Sequence, residues 1–362
     1  MRAPQSSHAG RSGALESIHS ENCMHRVRCT TAARTGLLAT MAGLAFMAGL
    51  IPTSGRAQNK PAPPPTDKPE SRVLQTEDGF NIHISYYRST GDKESPVVVL
   101  VHEEDGNRFI WQADGGLARK LQASGYAVIT VDLRGHGESK PAGGGAVGNA
   151  NQGTKKKGTK KSGIELKPGD YTNMWQYDLE VVKDFIFKEH HEEKLNMNKL
   201  GIVGAGMGAS VAAYFAVFDW EKPPYDDAPE PRFQTPRGQD VRALVLISPE
   251  EKFNGLVLSK AVSRLKDPDW GVAFFVCSGS DPKDKAQADK IFEMATQPTP
   301  AVNKKRMYEQ SYKAKLKGTG LLGQRPPVLE ENIATFFDEH LKKLDSPWVD
   351  RRSKRDRLQK KK

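Results

Sequence analysis

The chain has 362 residues and a mass of 39.9 kDa, enough for one large domain or two small ones. With 37% hydrophobic and 27% charged residues it has the composition of a soluble globular protein, which excludes a membrane bundle and a wholly disordered chain. The net charge of +10 sits at the ends: six Arg face two Glu up to Ala57, and eight Lys and Arg face two Asp from Asp350 onward. The body between them balances to zero, which argues against a nucleic-acid-binding core.

In chain order, the first feature is the apolar run GLLATMAGLAFMAGLI at 36–51, 16 residues long. Arg26, Arg28 and Arg34 precede it, and Pro52 and the small-x-small exit Gly55-Arg56-Ala57 follow. A basic start, a short apolar segment and small residues at the exit describe a secretory signal over 1–57, with a mature N-terminus near Gln58. A spanning helix needs about 20 apolar residues, so an uncleaved N-terminal anchor is the alternative. Residues 1–23 are long and polar for a leader, which leaves Met1 and Met24 as competing start sites. Cys23 and Cys29 fall in the leader; Cys277, alone in the mature chain, cannot form an internal disulfide. Export without disulfides points to a bacterial periplasm or cell surface. A Pro-rich linker over 58–72 (including QNKPAPPPTDKPE) cannot pack and holds the following domain at a distance.

The domain itself spans 73–345. Residues 73–87 predict two strands around the Asp78-Gly79 turn, with Ile82, Ile84 and Tyr86 alternating. PVVVLV at 96–101 is a continuous β-branched run, the pattern of a strand buried on both faces, and YAVITV at 126–131 is another. Further strands are expected at 200–203, 241–247 and 272–276, and helices at 113–124, 177–189, 207–218 and 332–344. Strands alternating with helices imply an α/β fold, with a mostly parallel sheet covered on both faces. Two segments stand outside this scheme. The stretch 141–169 holds eight Gly and the cluster KKKGTKK from Lys155 to Lys161, and reads as a flexible insertion; 346–362 reads as a basic disordered tail.

Three stretches resemble the α/β-hydrolase superfamily, in particular its serine esterases and dienelactone hydrolases. His102-Glu-Glu-Asp-Gly-Asn-Arg follows a buried strand where that fold carries its oxyanion loop. GYAVITVDLRGHGES at 125–139 looks like the next strand and turn, and LGIVGAGMGAS at 200–210 is similar to the strand, nucleophile elbow and helix start. The resemblance covers about 73–344 and keeps the order of the motifs.

It also implies where a catalytic triad would stand. The elbow pattern G-x-S-x-G is met by Gly204-Ala205-Gly206-Met207-Gly208, which puts Gly206 at the nucleophile position. The partner acid falls on Asp281 in Ser280-Asp281-Pro282, and LKGTGLL at 316–322 puts Lys317 where the His would be. Imidazole can take a proton from Ser and pass it to a leaving group near neutral pH, whereas a Lys beside an Asp stays protonated. An ion pair between Asp281 and Lys317 is therefore expected. The oxyanion loop (His102, Glu103, Glu104, with Met207 after the elbow) brings carboxylates in place of small residues. A carboxylate about 4 Å from an oxyanion would cost on the order of 4 kcal/mol at an effective dielectric of 20. Glu104 is expected to be the main obstacle, with Glu103 second.

Other chemistry-bearing residues have plainer readings. Ser210, Ser248, Ser278 and Ser280 lie near the site without a plausible base, and Cys277 reads as an inert core thiol. His136 reads as part of its turn. His190-His191-Glu192-Glu193 resembles a metal cluster in composition, but adjacent residues point apart on a helix, and a solvated helix end is the expectation. The sequence implies no metal and no cofactor. It leads to an exported, non-catalytic α/β-hydrolase-fold protein, with Gly206 in place of the Ser and Lys317 in place of the His, that has a binding or scaffolding role and takes an unidentified small-molecule or envelope ligand. The alternative is an active carboxylic-ester hydrolase with a non-standard nucleophile. A third reading has the Lys run or the basic tail holding the protein to an anionic surface.

Overall fold

A computed structural model describes residues 68–113, 115–141, 166–298, 305–326 and 328–359. Residues 1–67, where a signal and most of a linker are expected, and the Lys155–Lys161 cluster lie outside the described residues.

The chain opens with the hairpin β1 (Glu70–Gln75) and β2 (Phe80–Tyr87), turned at Gly79, so the first strand begins inside the expected linker. Then follow β3 (Pro96–Val101), α1 (Leu117–Ala123), β4 (Ala127–Val131), the short β5 (Lys140–Pro141) and α2 (Pro168–Asn173). Next come α3 (Leu179–His191), β6 (Asn196–Ala205), α4 (Met207–Glu221) and β7 (Val241–Ile247). A two-stranded ribbon, β8 (Lys252–Phe253) and β9 (Leu256–Val257), leads into α5 (Leu258–Leu265). The end of the chain holds β10 (Ala273–Ser278), α6 (Pro282–Thr296), β11 (Met307–Ser311), α7 (Val328–Phe337) and α8 (Lys354–Gln359).

The main sheet has the order β1-β2-β4-β3-β6-β7-β10-β11, with β5 paired to β2. The pairs from β4 to β11 are parallel, and β2 joins β1 and β4 antiparallel. The β-branched runs in β3, β4 and β7 are buried because helices cover both faces, giving two apolar clusters, one on each side of the sheet. One is centred on Ile129, Ile202 and Leu244 beneath α3, α4 and α5; the other packs Val128, Val203 and Val245 against α1 and α7. This is the α/β-hydrolase fold expected from the motif order. In such a sheet the carboxyl ends of the strands are the usual place for a site, and His102, Gly206, Asp281 and Lys317 all follow strand ends there.

Two expectations are corrected. The segment after residue 345 packs on the body: Arg351 is 5% exposed, its guanidinium bonds Asn198 and Asp240, and α8 follows it. Charge composition alone does not reveal that one of its cations is needed to neutralise buried carboxylates. The end of α3 is solvated only at Glu192 and Glu193, not at its histidines. His190 is fully buried, with Nε2 2.8 Å from the Val349 carbonyl oxygen, and His191 Nε2 lies 3.1 Å from Asp350 Oδ1. Both histidines serve as the seat of the C-terminal strap. Of the insertion, residues 142–165 lie outside the described residues, while Pro168 already opens α2.

Candidate functional site at the elbow

The turn between β6 and α4 has the geometry of a nucleophile elbow. Gly206 sits at φ 51° and ψ −116°, a left-handed-side conformation that strains any residue with a Cβ. Its N–H donates to the Ile247 carbonyl (2.9 Å) and its carbonyl accepts from Ala209 N–H (3.1 Å), so the turn is held from both sides. The flanking glycines are required by close approach: a Cβ on Gly208 would come within 2.5 Å of the Val101 and His102 carbonyl oxygens. The elbow is complete in its backbone and carries no nucleophilic side chain at 206.

His102 ends β3 and is fully buried. Leu133 N–H donates to its Nε2 (3.2 Å), so the proton is on Nδ1, which donates to the Glu103 carbonyl (2.6 Å). Burial pushes the imidazole down to about 3, with His136 nearby adding to the effect, so it stays neutral. His102 therefore fastens the oxyanion loop to the end of β4 instead of facing a reacting group. His136 is likewise buried, Nδ1 3.0 Å from the Arg134 carbonyl, and is part of the scaffold as expected.

The two glutamates of the loop diverge. Glu103 turns over the elbow: its Cβ lies 3.3 Å from where a Cβ on Gly206 would stand. Its carboxylate accepts from the Thr319 N–H (3.2 Å) and from the Thr319 hydroxyl. Glu104 is exposed and accepts from the Tyr171 hydroxyl (3.0 Å). Burial, with Glu104 beside it, raises Tyr171 to about 12, and its ring stands edge-on to Phe253 with centroids 5.3 Å apart. The structure thus reverses the expected ranking. Glu103 occupies the elbow and Glu104 does not, because the tight loop closed by Gly106 N–H to Glu103 O (2.9 Å) sends successive side chains in different directions.

Asp281 and Lys317 meet, with Nζ 3.5 Å from Oδ1, as expected from the sequence. The pair is at the surface, the side chains 40% and 54% exposed. Asp281 is also the N-cap of α6, its Oδ1 accepting from Asp284 N–H (3.0 Å) and Lys283 N–H (3.1 Å). The bond from Asp284 N–H is the leading reason its carboxyl lies below the ordinary range, with Lys317 adding to the effect. Sequence reasoning missed the buried pair beneath it. Asp284, 3% exposed, accepts from Ser248 Oγ (3.0 Å) and Gly279 N–H (2.8 Å), and Ser248 Oγ in turn accepts from Gly318 N–H (2.8 Å). Ser248 stands at φ 47° directly after β7. That strand end, two residues before Glu250-Glu251, is the one signal that could have pointed to it.

The remaining serines have ordinary partners: Ser210 Oγ is 3.5 Å from the Glu250 carbonyl oxygen, Ser278 Oγ 3.1 Å from Ser311 Oγ, and Ser280 Oγ 3.1 Å from the Lys313 carbonyl oxygen. Among the described residues none of the four hydrogen-bonds to a histidine. Cys277 is fully buried, and desolvation pushes its thiol well up, the environment of an inert thiol. Among the described residues no group of three or more His, Cys, Asp and Glu could hold a metal ion.

With this geometry in hand, the comparisons are consistent. No curated protein matches the sequence. An esterase of Pyrococcus furiosus superposes with TM-score 0.50 at 14% identity, over 76% of this chain and 91% of the esterase. A thermostable carboxyl esterase of Bacillus coagulans gives 0.50 at 13%, over 76% of this chain and 100% of that one. An acylaminoacyl peptidase of Pyrococcus horikoshii gives 0.51 at 12%, over 78% of this chain and 43% of that one. At such identities these likenesses establish the fold alone. The family model described as "Alpha/beta hydrolase family" matches residues 98–354, a span that takes in the oxyanion loop, the elbow, Asp281 and Lys317. The sheet order, the elbow backbone and this match together make the chain a member of the alpha/beta hydrolase family.

Proposed function

We propose that this protein is an exported, non-catalytic α/β-hydrolase-fold protein with a binding or scaffolding role. One observation carries the reading: the elbow holds glycine, and the Glu103 carboxylate, bonded to Thr319, closes over the place where a nucleophile would act. Ester hydrolysis at that point needs a nucleophile, a base and donors for a developing negative charge. Here the first has no atoms, Lys317 stands in place of the second, and a carboxylate stands beside the third. The apolar run at 36–51 and the exit Gly55-Arg56-Ala57 support export. Labelling of the native protein with a fluorophosphonate probe tests the catalytic half. No covalent adduct and no ester turnover above a denatured control is expected; a stoichiometric adduct overturns it. N-terminal sequencing of envelope protein tests the other half, with Gln58 expected and an intact 36–51 segment indicating an anchor.

The second reading, an active carboxylic-ester hydrolase with another nucleophile, draws on Ser248. Its φ of 47° and its bond to buried Asp284 are the kind of strain and pairing found at functional positions. Against it, the Ser248 oxygen already accepts from Gly318 N–H, and a carboxylate is a weak base toward a hydroxyl. A fluorophosphonate adduct mapped to Ser248 would establish this reading.

A further inference from the structure

We propose that the face formed by the start of α6 and the loop after β11 binds a flexible linear polyanion whose charges are phosphates. The proposal stands on residues outside the elbow turn. It depends neither on whether the elbow catalyses nor on whether the chain is exported.

The two segments are fastened to each other. Ser280 N–H donates to the Ala314 carbonyl (2.8 Å) and Ser280 Oγ to the Lys313 carbonyl (3.1 Å). A Cβ on Gly279 would run into the Leu316 carbonyl oxygen, so the two backbones lie in close contact. In the loop after β11, Tyr312 and Ala314 pack against the core, while Lys313 and Lys315 are exposed. Lys317 reaches back to Asp281, the N-cap of α6, with Nζ 3.5 Å from Oδ1. Lys283 is exposed in the first turn of that helix. The lysines of both segments are therefore presented on one frame.

Charge on this frame is one-sided. Segments 279–290 and 311–317 hold six Lys against three Asp. Each of the three acids is committed. Asp284 is buried on Ser248 and Gly279, and Asp289 pairs with Lys285 (2.6 Å). Asp281 gives Oδ1 to the amides of Lys283 and Asp284 and to Lys317. Of the neighbouring acids, Glu309 lies against Asp289 and Glu251 pairs with Lys290 (2.7 Å). Among the described residues, Lys283, Lys313 and Lys315 have no carboxylate partner. Lys283 also stands at the positive end of the α6 dipole, where a cation is disfavoured. Unneutralised cations on one face repel one another, and a bound anion removes that cost.

The groups on offer select the ligand. An ammonium on a flexible stem meets phosphate as a point charge, whereas planar two-point recognition of a carboxylate uses Arg, which both segments lack. Tyr312 is their one aromatic residue. It packs inward, its hydroxyl accepting from Asn332 Nδ2 (2.8 Å), so no ring on this face stacks a nucleobase. Ammonium groups on separate stems from two segments suit charges repeated along a flexible chain better than a single anion. A polyphosphate-type chain meets all three conditions.

The test is binding of the full chain to long-chain inorganic polyphosphate at about 0.1 M salt. Lys283→Gln/Lys313→Gln/Lys315→Gln should weaken binding at least about tenfold and lower the slope of log K against log salt by about two. A control of equal charge on α1, α3 and α5, Lys120→Gln/Lys188→Gln/Lys260→Gln, should stay within about twofold of the parent. Arginine at 283, 313 and 315 keeps the charge and should keep the binding. Polyphosphate should raise the melting temperature of the parent and of the arginine variant, and leave that of the glutamine variant at 283, 313 and 315 unchanged. Four results overturn the proposal. They are no binding by the parent, equal losses in the two glutamine variants, tighter binding of heparin than of polyphosphate at equal charge, or unchanged binding without Lys283, Lys313 and Lys315. The last would assign polyanion binding to the Lys155–Lys161 cluster or the C-terminal lysines instead.

Discussion

Glu103 and Thr319 are joined twice, the carboxylate accepting from both the main-chain N–H (3.2 Å) and the hydroxyl of Thr319. This ties the loop after β3 to the loop after β11 across the top of the elbow. A carboxylate with two donors already in place is a satisfied group, and to free that space both bonds must break. The elbow turn is held separately, by Gly206 N–H to the Ile247 carbonyl and Ala209 N–H to the Gly206 carbonyl.

Placing a nucleophile at 206 alone is therefore expected to achieve little. A Cβ at position 206 meets the Glu103 Cβ at 3.3 Å, and a serine hydroxyl there faces a carboxylate with no imidazole in reach. Gly206→Ser should show no turnover of p-nitrophenyl acetate. Gly206→Ser/Lys317→His/Glu103→Gly should rise on the order of 100-fold above the denatured control. The matched triple variant carrying Glu104→Gly in place of Glu103→Gly should not. Equal turnover in the two triple variants would show that Glu103 is not what closes the elbow.

Arg351 is a structural cation. It shares Asp240 with Lys183, whose Nζ is 2.7 Å from that carboxylate and also pairs with Asp219. Removing it leaves Asp240 short of a partner in a buried site, so Arg351→Ala should lower unfolding stability by about 3–5 kcal/mol in urea titrations. Arg351→Lys should rescue little, because one ammonium cannot bond Asn198, Asp240 and two carbonyls in a fixed fork. A loss within experimental error for Arg351→Ala would mean the strap is not anchored there.

Asp281 contributes through its cap more than through its ion pair. Lys317 is half exposed at 3.5 Å, and such pairs are weak, so Lys317→Ala should leave the melting temperature unchanged. Asp281→Ala removes the acceptor for two amides at the start of α6 and should lower it, with Asp281→Asn recovering most of the loss. Equal effects from Lys317→Ala and Asp281→Ala would assign the stability to the pair.

Acid sensitivity should follow His102. Its folded-state value lies near 3 against an ordinary 6.5, so the unfolded chain binds the extra proton. The contribution of this group is complete above about pH 6.5 and is lost as pH falls toward 3, at up to about 1.4 kcal/mol per pH unit. Burial lowers His190 and His340 as well, which adds in the same direction. Urea unfolding across this range should give a slope that falls by about one proton in His102→Gln. An unchanged slope would mean His102 is not the group that titrates.

By itself the sequence determined the elements whose burial is complete. PVVVLV and YAVITV could be nothing but interior strands, VRALVLI at 241–247 coincides with β7 as observed, and the Gly spacing at 204–208 required the elbow. Buried parallel strands write themselves as uninterrupted apolar runs, and a tight turn writes itself in glycine. Two elements that meet water on one side were not legible. β11 (MYEQS) is an edge strand with three exposed positions, and α6 buries only Asp284, Ala288, Ile291 and Ala295 of its fifteen residues. Partner choice was beyond the sequence as well. Which glutamate crosses the elbow, that Asp284 lies buried on Ser248, and that a basic tail gives up Arg351 to a buried carboxylate all depend on side-chain directions and on segments more than thirty residues apart. Local pattern fixes what a segment becomes; only the packed chain fixes which charge meets which, because a buried charge takes the partner that the fold brings within reach.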